Sequence, residues 1–390
     1  MKERFFSLDV FRGMTVAFMI LVNNAGNWQF IYDPLEHASW HGLTPTDLVF
    51  PFFLFAVGNA MAFVFPRYES GSSAAFLKKI TRRTLVIFGI GLFLNWFPFI
   101  RWEGDHLVFR HWVNPQDPES GVRILGVLQR IALCYFFASL IIYYGKIRGA
   151  FFISVFLLLA YWALCLLLGA PGDPFSIDGF FGTRLDKAVL GIPHMYKGEG
   201  VPFDPEGIAS TIPAIVQVIF GYFVGNYILQ KGKNYEMLSK LFAAGCVLVF
   251  VGYCWDLTFP INKKIWTSSF VVYTSGLAIL LLSVLISVIE FRTKNPGWTK
   301  PFLAFGKNPL FIYFLSGLLP RLLGLVRWQT GVDAKGETIY SSPLPWFYEH
   351  VCKPVSDNMK NGSLLYAVCV VVFFWIIAVW MDRRKWYVRV

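Results

Sequence analysis

The chain has 390 residues, 56% hydrophobic, 18% aromatic and only 15% charged, with a mean hydropathy of +0.53. Soluble domains carry roughly 25% charged residues, so this composition excludes an ordinary soluble enzyme and belongs to the polytopic membrane class. The formal net charge of +11 invites a nucleic-acid partner, but its distribution along the chain is a topology signal instead.

In chain order, about ten apolar stretches reach the roughly 17–25 residues needed to cross a bilayer. They run near 8–25, 48–65, 84–100, 123–144, 149–169, 208–229, 239–258, 267–289, 301–319 and 363–381. The expected fold class is an all-α polytopic membrane protein with about ten transmembrane helices, one of them broken, and long outer loops. One set of short connections is basic (Lys78, Lys79, Arg82, Arg83, Lys146, Arg148, Lys231, Lys233, Lys294), as is the tail with Arg383 and Arg389. Acids such as Glu3 and Glu69 are few on that side. This bias places both termini in the cytoplasm. The opposite loops, near 26–47, 101–122, 170–207, 259–266 and 320–362, are longer and hold all six histidines. Long loops in a compact protein tend to be functional, so the outer face is the expected working surface. The last loop has room for a surface or re-entrant helix. A single domain, 1–390, covers the chain, with its motifs in 7–313 and an outer loop and last span in 320–390. The first apolar run carries Asp9 and Arg12 and lacks an Ala-x-Ala site, so it reads as a retained helix rather than a signal peptide. Cysteines in apolar runs, Cys134 and Cys165 among them, read as small buried hydrophobes, and no metal site is expected.

Polar residues inside apolar stretches carry the functional signal. His37, Trp40, His41 and Asp47 stand at the mouth of the second span, and histidine is the natural general base near neutral pH. Asp9 and Arg12, three apart, share a helix face: they form an ion pair, or Arg12 meets a phosphorylated ligand from the cytoplasm. Gln129 and Arg130 lie within the fourth span, where an Arg costs a few kcal/mol unless it faces a partner or a cavity. The alternatives are a phosphate or carboxylate ligand and a bridge to another helix, for example to Asp9 or Asp47. Gly306-Lys307-Asn308-Pro309 breaks the ninth span, leaving Lys307 either near a phosphate or snorkelling inward. Asn23, Asn24, Asn59 and Asn95, with Thr267, Ser268, Ser269 and Tyr273, together imply a wet cavity open to the outer half. Asp204 and Glu206 either cap the sixth span or receive the hydroxyls or ammonium of a sugar.

These pieces resemble the heparan-α-glucosaminide N-acetyltransferase family. The resemblance rests on Ser7-Leu8-Asp9-Val10-Phe11-Arg12-Gly13, His37-Ala38-Ser39-Trp40 with Gly42-Leu43-Thr44, and Asp47-Leu48-Val49-Phe50-Pro51. It continues through Gly126-Val127-Leu128-Gln129-Arg130, Asp204-Pro205-Glu206-Gly207-Ile208, Pro260-Ile261-Asn262-Lys263-Lys264-Ile265-Trp266 and the Gly306, Asn308, Tyr313 pattern. The resemblance implies a transmembrane acyltransferase that takes acetyl from cytoplasmic acetyl-CoA and delivers it to the amine of a terminal glucosamine on the far side. His37 corresponds to the family's active-site histidine, and Asn23, or Asn24, to the asparagine before it. His37 is then a general base or an acetyl acceptor, and Asp47 fixes its tautomer or caps the helix. Arg130, Asp204 and Glu206 match positions sensitive to substitution. They join Gln129 and Trp40 as substrate-binding candidates. Arg12, Asn262, Lys264, Lys307, Asn308 and Ser269 are the candidates to hold acetyl-CoA. The chain begins at the first catalytic span and has His41 where lysosomal members have Asn. A compact bacterial-type homologue in the cytoplasmic membrane is expected, with its active loops periplasmic and a free amino sugar or glycan end as acceptor. Membrane lipids are partners, a homodimer is admissible, and nucleic acid is not expected. The rival reading is a transporter that moves amino sugars without acyl transfer.

Overall fold

The computed structural model describes residues 5–68, 72–292, 296–332 and 336–388; Glu3, Glu69, Lys294 and Arg389 lie outside them. The chain is mostly helical. Its long helices are α1 (Phe6–Val22), α2 (Val49–Val64, entered through a 3-10 turn Pro45–Leu48), α3 (Ser73–Trp96) and α4 (Val127–Leu168). After a short α5 (Phe181–Val189) come α6 (Ile208–Lys231), α7 (Tyr235–Asp256), α8 (Ser268–Ile289), α9 (Thr299–Lys307) and α10 (Pro309–Leu323). A short α11 (Pro343–Phe347) precedes α12 (Met359–Arg383).

Six helical segments among the described residues are long and apolar enough to cross a membrane, or seven if the bent pair α9–α10 is one span. Ten spans are therefore not reached on length and composition. Two of the expected stretches fall short for clear reasons. Helix α1 has 17 residues, and α3 carries Lys78, Lys79, Arg82 and Arg83. The 42-residue α4 is interrupted at Lys146, whose φ of 52° is non-helical. Arg130 in its first half lies over the Trp266 ring, and Tyr161 in its second half donates to the Ile265 carbonyl. Both halves thus reach the same segment, so the helix doubles back at Lys146, as the separate stretches 123–144 and 149–169 anticipate. The expected break near Pro309 is present: α9 and α10 meet at Asn308 with an 84° bend.

Strands absent from the sequence reading occur in the outer loops. Antiparallel β1 (Ile100–Glu103) and β2 (His106–Phe109) form one hairpin and β3 (Val113–Asn114) and β4 (Asp117–Gly121) a second. In the last loop, β5 (Trp328–Val332) pairs with β6 (Thr338–Ser341).

Small residues set the helix crossings. A Cβ at Gly58 would stand 1.8 Å from the Val218 carbonyl oxygen, and one at Gly221 2.0 Å from that of Phe55, so α2 and α6 touch backbone to backbone. Gly13 and Gly306 do the same for α1 and α9. Such close approach is how apolar helices gain packing energy where lipid removes the hydrophobic drive. The effect is to hold the α1–α2 connection, the α6 N-terminus and the segment before α8 at one end of the molecule. The opposite end is closed by other pairs, Lys307 with Asp382 at 2.7 Å and Lys233 with Glu290 at 3.1 Å.

Candidate active site

The site is built first from the loop entering α2. Asp47, almost wholly buried, ends the turn that starts that helix. Its Oδ2 accepts from the Thr44 amide at 3.0 Å, the Thr44 hydroxyl at 3.1 Å and the Ala38 amide at 3.1 Å. Its Oδ1 lies 2.6 Å from His37 Nδ1. One oxygen caps the helix and the other holds the imidazole, so the two readings of Asp47 divide between its two atoms. With Nδ1 engaged, Nε2 is the ring nitrogen left for an incoming group. The ring is about half exposed toward a cavity of about 310 Å³.

The segment before α8 supplies the next wall. Lys263 Nζ stands 3.1 Å from His37 Nδ1 and 3.2 Å from Nε2, which places it over the ring rather than in line with either lone pair. It is also 3.6 Å from Asp47 Oδ1. Burial lowers the Lys263 pKa below the ordinary lysine value, with Asp47 and Glu206 opposing. Lys264 donates to Glu199 at 2.5 Å and to the Ser39 carbonyl at 2.8 Å, and sits over Trp40, whose indole donates to the Phe175 carbonyl.

Opposite stands a cluster around Arg123, just ahead of α4. Its guanidinium grips Asp204 through two nitrogens, at 3.0 and 2.5 Å, bonds Glu206 as well, and stacks on Tyr196. Burial works against the Arg123 charge, but Glu206 and Asp204 outweigh it and raise its pKa. Burial likewise disfavours the Glu206 carboxylate, yet Arg123 and Arg130 hold its pKa below the ordinary value. Glu206 lines the cavity; Asp204 is buried behind it. The α6 N-terminus is capped instead by Asp186, whose Oδ1 accepts from the Ile208 amide at 2.9 Å. A Cβ at Gly207 would lie 2.0 Å from Asp186 Oδ2, so the carboxylate packs closely on this turn.

The structure gathers His37, Trp40, Asp47, Glu206, Lys264 and Asn23 around this cavity. A second cavity, of about 460 Å³, shares Met19, Asn23, Val127 and Tyr313 with the first and is lined by Asn24, Asn95 and Gln129. Other candidates lie elsewhere. Arg130 is fully buried behind the site, donating to the Gly207 carbonyl at 3.2 Å and to Ser210. The bridge to another helix is made to α6, not to the carboxylates Asp9 or Asp47. Arg12 pairs with Asp9, the structural alternative. Lys307 is held by Asp382, and Asn308 bonds the Trp386 carbonyl and the Val388 amide, both at the opposite end from His37. Ser269 donates to the Phe259 carbonyl, and Asn262 braces its own turn, accepting from the Ile265 amide at 3.0 Å. Of the polar residues expected in a wet cavity, Asn23, Asn24 and Asn95 face one, whereas Asn59 and Ser268 pack between helices. His41 lines a separate recess with Tyr253 and Asp256, and burial lowers its pKa.

Sequence reading missed Arg123, Lys263, Tyr196 and Tyr313 as lining residues. Arg123 sits at the flank of an apolar run, where a cation is ordinarily a topology marker. Lys263 and Tyr313 lay within quoted motifs, so the signal was present but carried no role.

A model of the catalytic region of heparan-alpha-glucosaminide N-acetyltransferases matches residues 4–259. The human protein of that name is 28% identical over an alignment covering 99% of this chain and 59% of its own length. The mouse protein is 27% identical over 78% of this chain and 52% of its own length. The chain thus spans little more than half the length of these relatives. From its ordered motifs, its helical architecture and this match over most of its length, the chain belongs to the heparan-alpha-glucosaminide N-acetyltransferase catalytic family.

Proposed function

We propose that the protein is a transmembrane N-acetyltransferase that moves acetyl from cytoplasmic acetyl-CoA to the amine of a glucosamine-type sugar at the outer face of a bacterial cytoplasmic membrane. The observation that carries this reading is His37 at a cavity wall, its Nδ1 held by a buried carboxylate and its Nε2 3.2 Å from Lys263 Nζ. An amine is protonated in water and attacks a thioester only after losing a proton. In the direct route the ammonium gives its first proton to water, and His37 Nε2 takes the second as the neutral nitrogen bonds to the acetyl carbonyl carbon. The carbon–sulfur bond then breaks, and the proton passes from His37 to the departing CoA thiolate. Asp47 steadies the imidazolium that exists between these events. Asn23, in the wall shared by the two cavities, is the candidate donor to the developing oxyanion. The names of the human and mouse relatives supply the glucosamine class of acceptor.

The test is release of CoA thiol by the purified, detergent-solubilised chain given acetyl-CoA with and without glucosamine. Glucosamine-dependent release is expected, falling about 10²–10⁴-fold in His37→Ala. Full turnover in that variant removes His37 from the chemistry. Absence of release with any amino sugar, alongside uptake of unmodified sugar into proteoliposomes, replaces the enzyme with a transporter.

A further inference from the structure

Four amide side chains face the second cavity, Asn23 among them, and in the other three the nitrogen donates to a backbone carbonyl. Asn24 Nδ2 donates to the Ile20 carbonyl at 2.8 Å, and Gln129 Nε2 to that of Ile124 at 2.9 Å. Asn95 Nδ2 donates to the Arg123 and Leu125 carbonyls at 2.9 and 3.1 Å. Their carbonyl oxygens accept from no protein donor among the described residues. A wall of fixed acceptors calls for a ligand rich in O–H or N–H groups. The one charged side chain lining this cavity among the described residues is Arg321, whose cationic guanidinium disfavours an ammonium there. Neutral hydroxyls satisfy both conditions. The first cavity, lined by Asp47, Glu199 and Glu206 together with Arg123, Lys263 and Lys264, holds His37, the group an acceptor's amine has to reach. The two cavities meet at Asn23 and Tyr313, and their volumes suit a small ligand spanning both.

We propose that the second cavity is the acceptor's hydroxyl subsite: the carbonyl oxygens of Asn24, Asn95 and Gln129 receive the ring hydroxyls of an amino sugar whose amine passes the Asn23–Tyr313 wall to reach His37. This inference rests on the acetyltransferase reading and adds the orientation of its acceptor. The competing occupant is the donor, whose pantetheine amides also present N–H groups.

Titration calorimetry of the purified full chain, with CoA present, separates these. The ligands are glucosamine, cyclohexylamine (an amine without hydroxyls) and the 4-deoxy and 6-deoxy glucosamines. Gln129→Leu, which removes an acceptor, and Ser316→Phe, which fills the cavity from α10, are both expected to weaken glucosamine at least tenfold. CoA affinity stays within twofold, and cyclohexylamine binds the wild type and Gln129→Leu alike. Unchanged glucosamine affinity in both variants, or a loss of CoA affinity in Ser316→Phe instead, overturns the assignment. Should either variant fail to fold, the deoxy sugars decide on the wild type: a loss with each missing hydroxyl supports the subsite, and equal affinity for all overturns it. A wild type that binds glucosamine through Gln129 but releases no CoA thiol removes the enzyme and keeps the subsite. Glucosamine-dependent release undiminished in both variants does the reverse.

Discussion

Asp47 divides its two oxygens between helix capping and imidazole, and the two duties separate experimentally. Asp47→Asn keeps the shape and one acceptor for the Thr44 and Ala38 amides, but its amide nitrogen, turned to His37, favours the wrong ring tautomer. A fall in kcat on the order of 10²-fold or more is expected, with KM for glucosamine within a few-fold, read by steady-state CoA release. An unchanged kcat together with a lowered thermal midpoint would reduce Asp47 to a cap. This part of the site was legible because His37 and Asp47 lie ten residues apart in one polar loop. Arg123 and Asp204 lie 81 apart, and nothing local marks one as the partner of the other. The same limit explains Lys307 and Asn308: their residue types fit a phosphate, but the tail that occupies them is far along the chain.

At the level of helices, the α2–α6 crossing is set by Gly58 and Gly221. Gly221→Val drives a side chain into the Phe55 carbonyl and is expected to cost on the order of 3 kcal/mol in thermal unfolding. Gly89→Val on α3, where a Cβ meets no atom within 4 Å, is the silent control. Equal midpoints for both would refute the crossing. The α6 cap adds a pH dependence. Burial raises the Asp186 pKa from 3.8 to about 6, opposed by the Ile208 amide. The folded state therefore holds this proton more tightly than the unfolded chain, so stability falls as pH rises from about 4 to about 6. Asp186→Asn keeps an acceptor for Ile208 without the charge. It is expected to gain roughly 2–3 kcal/mol over wild type above pH 6 and nothing below pH 4. A constant difference across that range would count against the buried carboxyl. The break was readable from Pro309 and six or seven of the ten expected spans from apolar length. The hairpins were not, because their short exposed strands carry no alternating pattern longer than a few residues.

Across the whole molecule, loops assigned to the outer side wall the candidate site, and at the other end Lys233 pairs with Glu290 and Lys307 with Asp382. Of the six histidines the family resemblance singles out His37, which lines the first cavity, while His194 is buried against the Val122 carbonyl and His350 stacks on Trp346. Tyr313, on the far half of the bent pair, walls both cavities. This has a consequence for biosynthesis. His37 and Asp47 leave the ribosome early, Lys263 much later and Tyr313 last, so a nascent chain carries its imidazole and carboxylate long before it has an enclosure for them. The enclosure around the two side chains is thus complete only once α10 has been made, and chains stalled before that point have His37 and Asp47 without it.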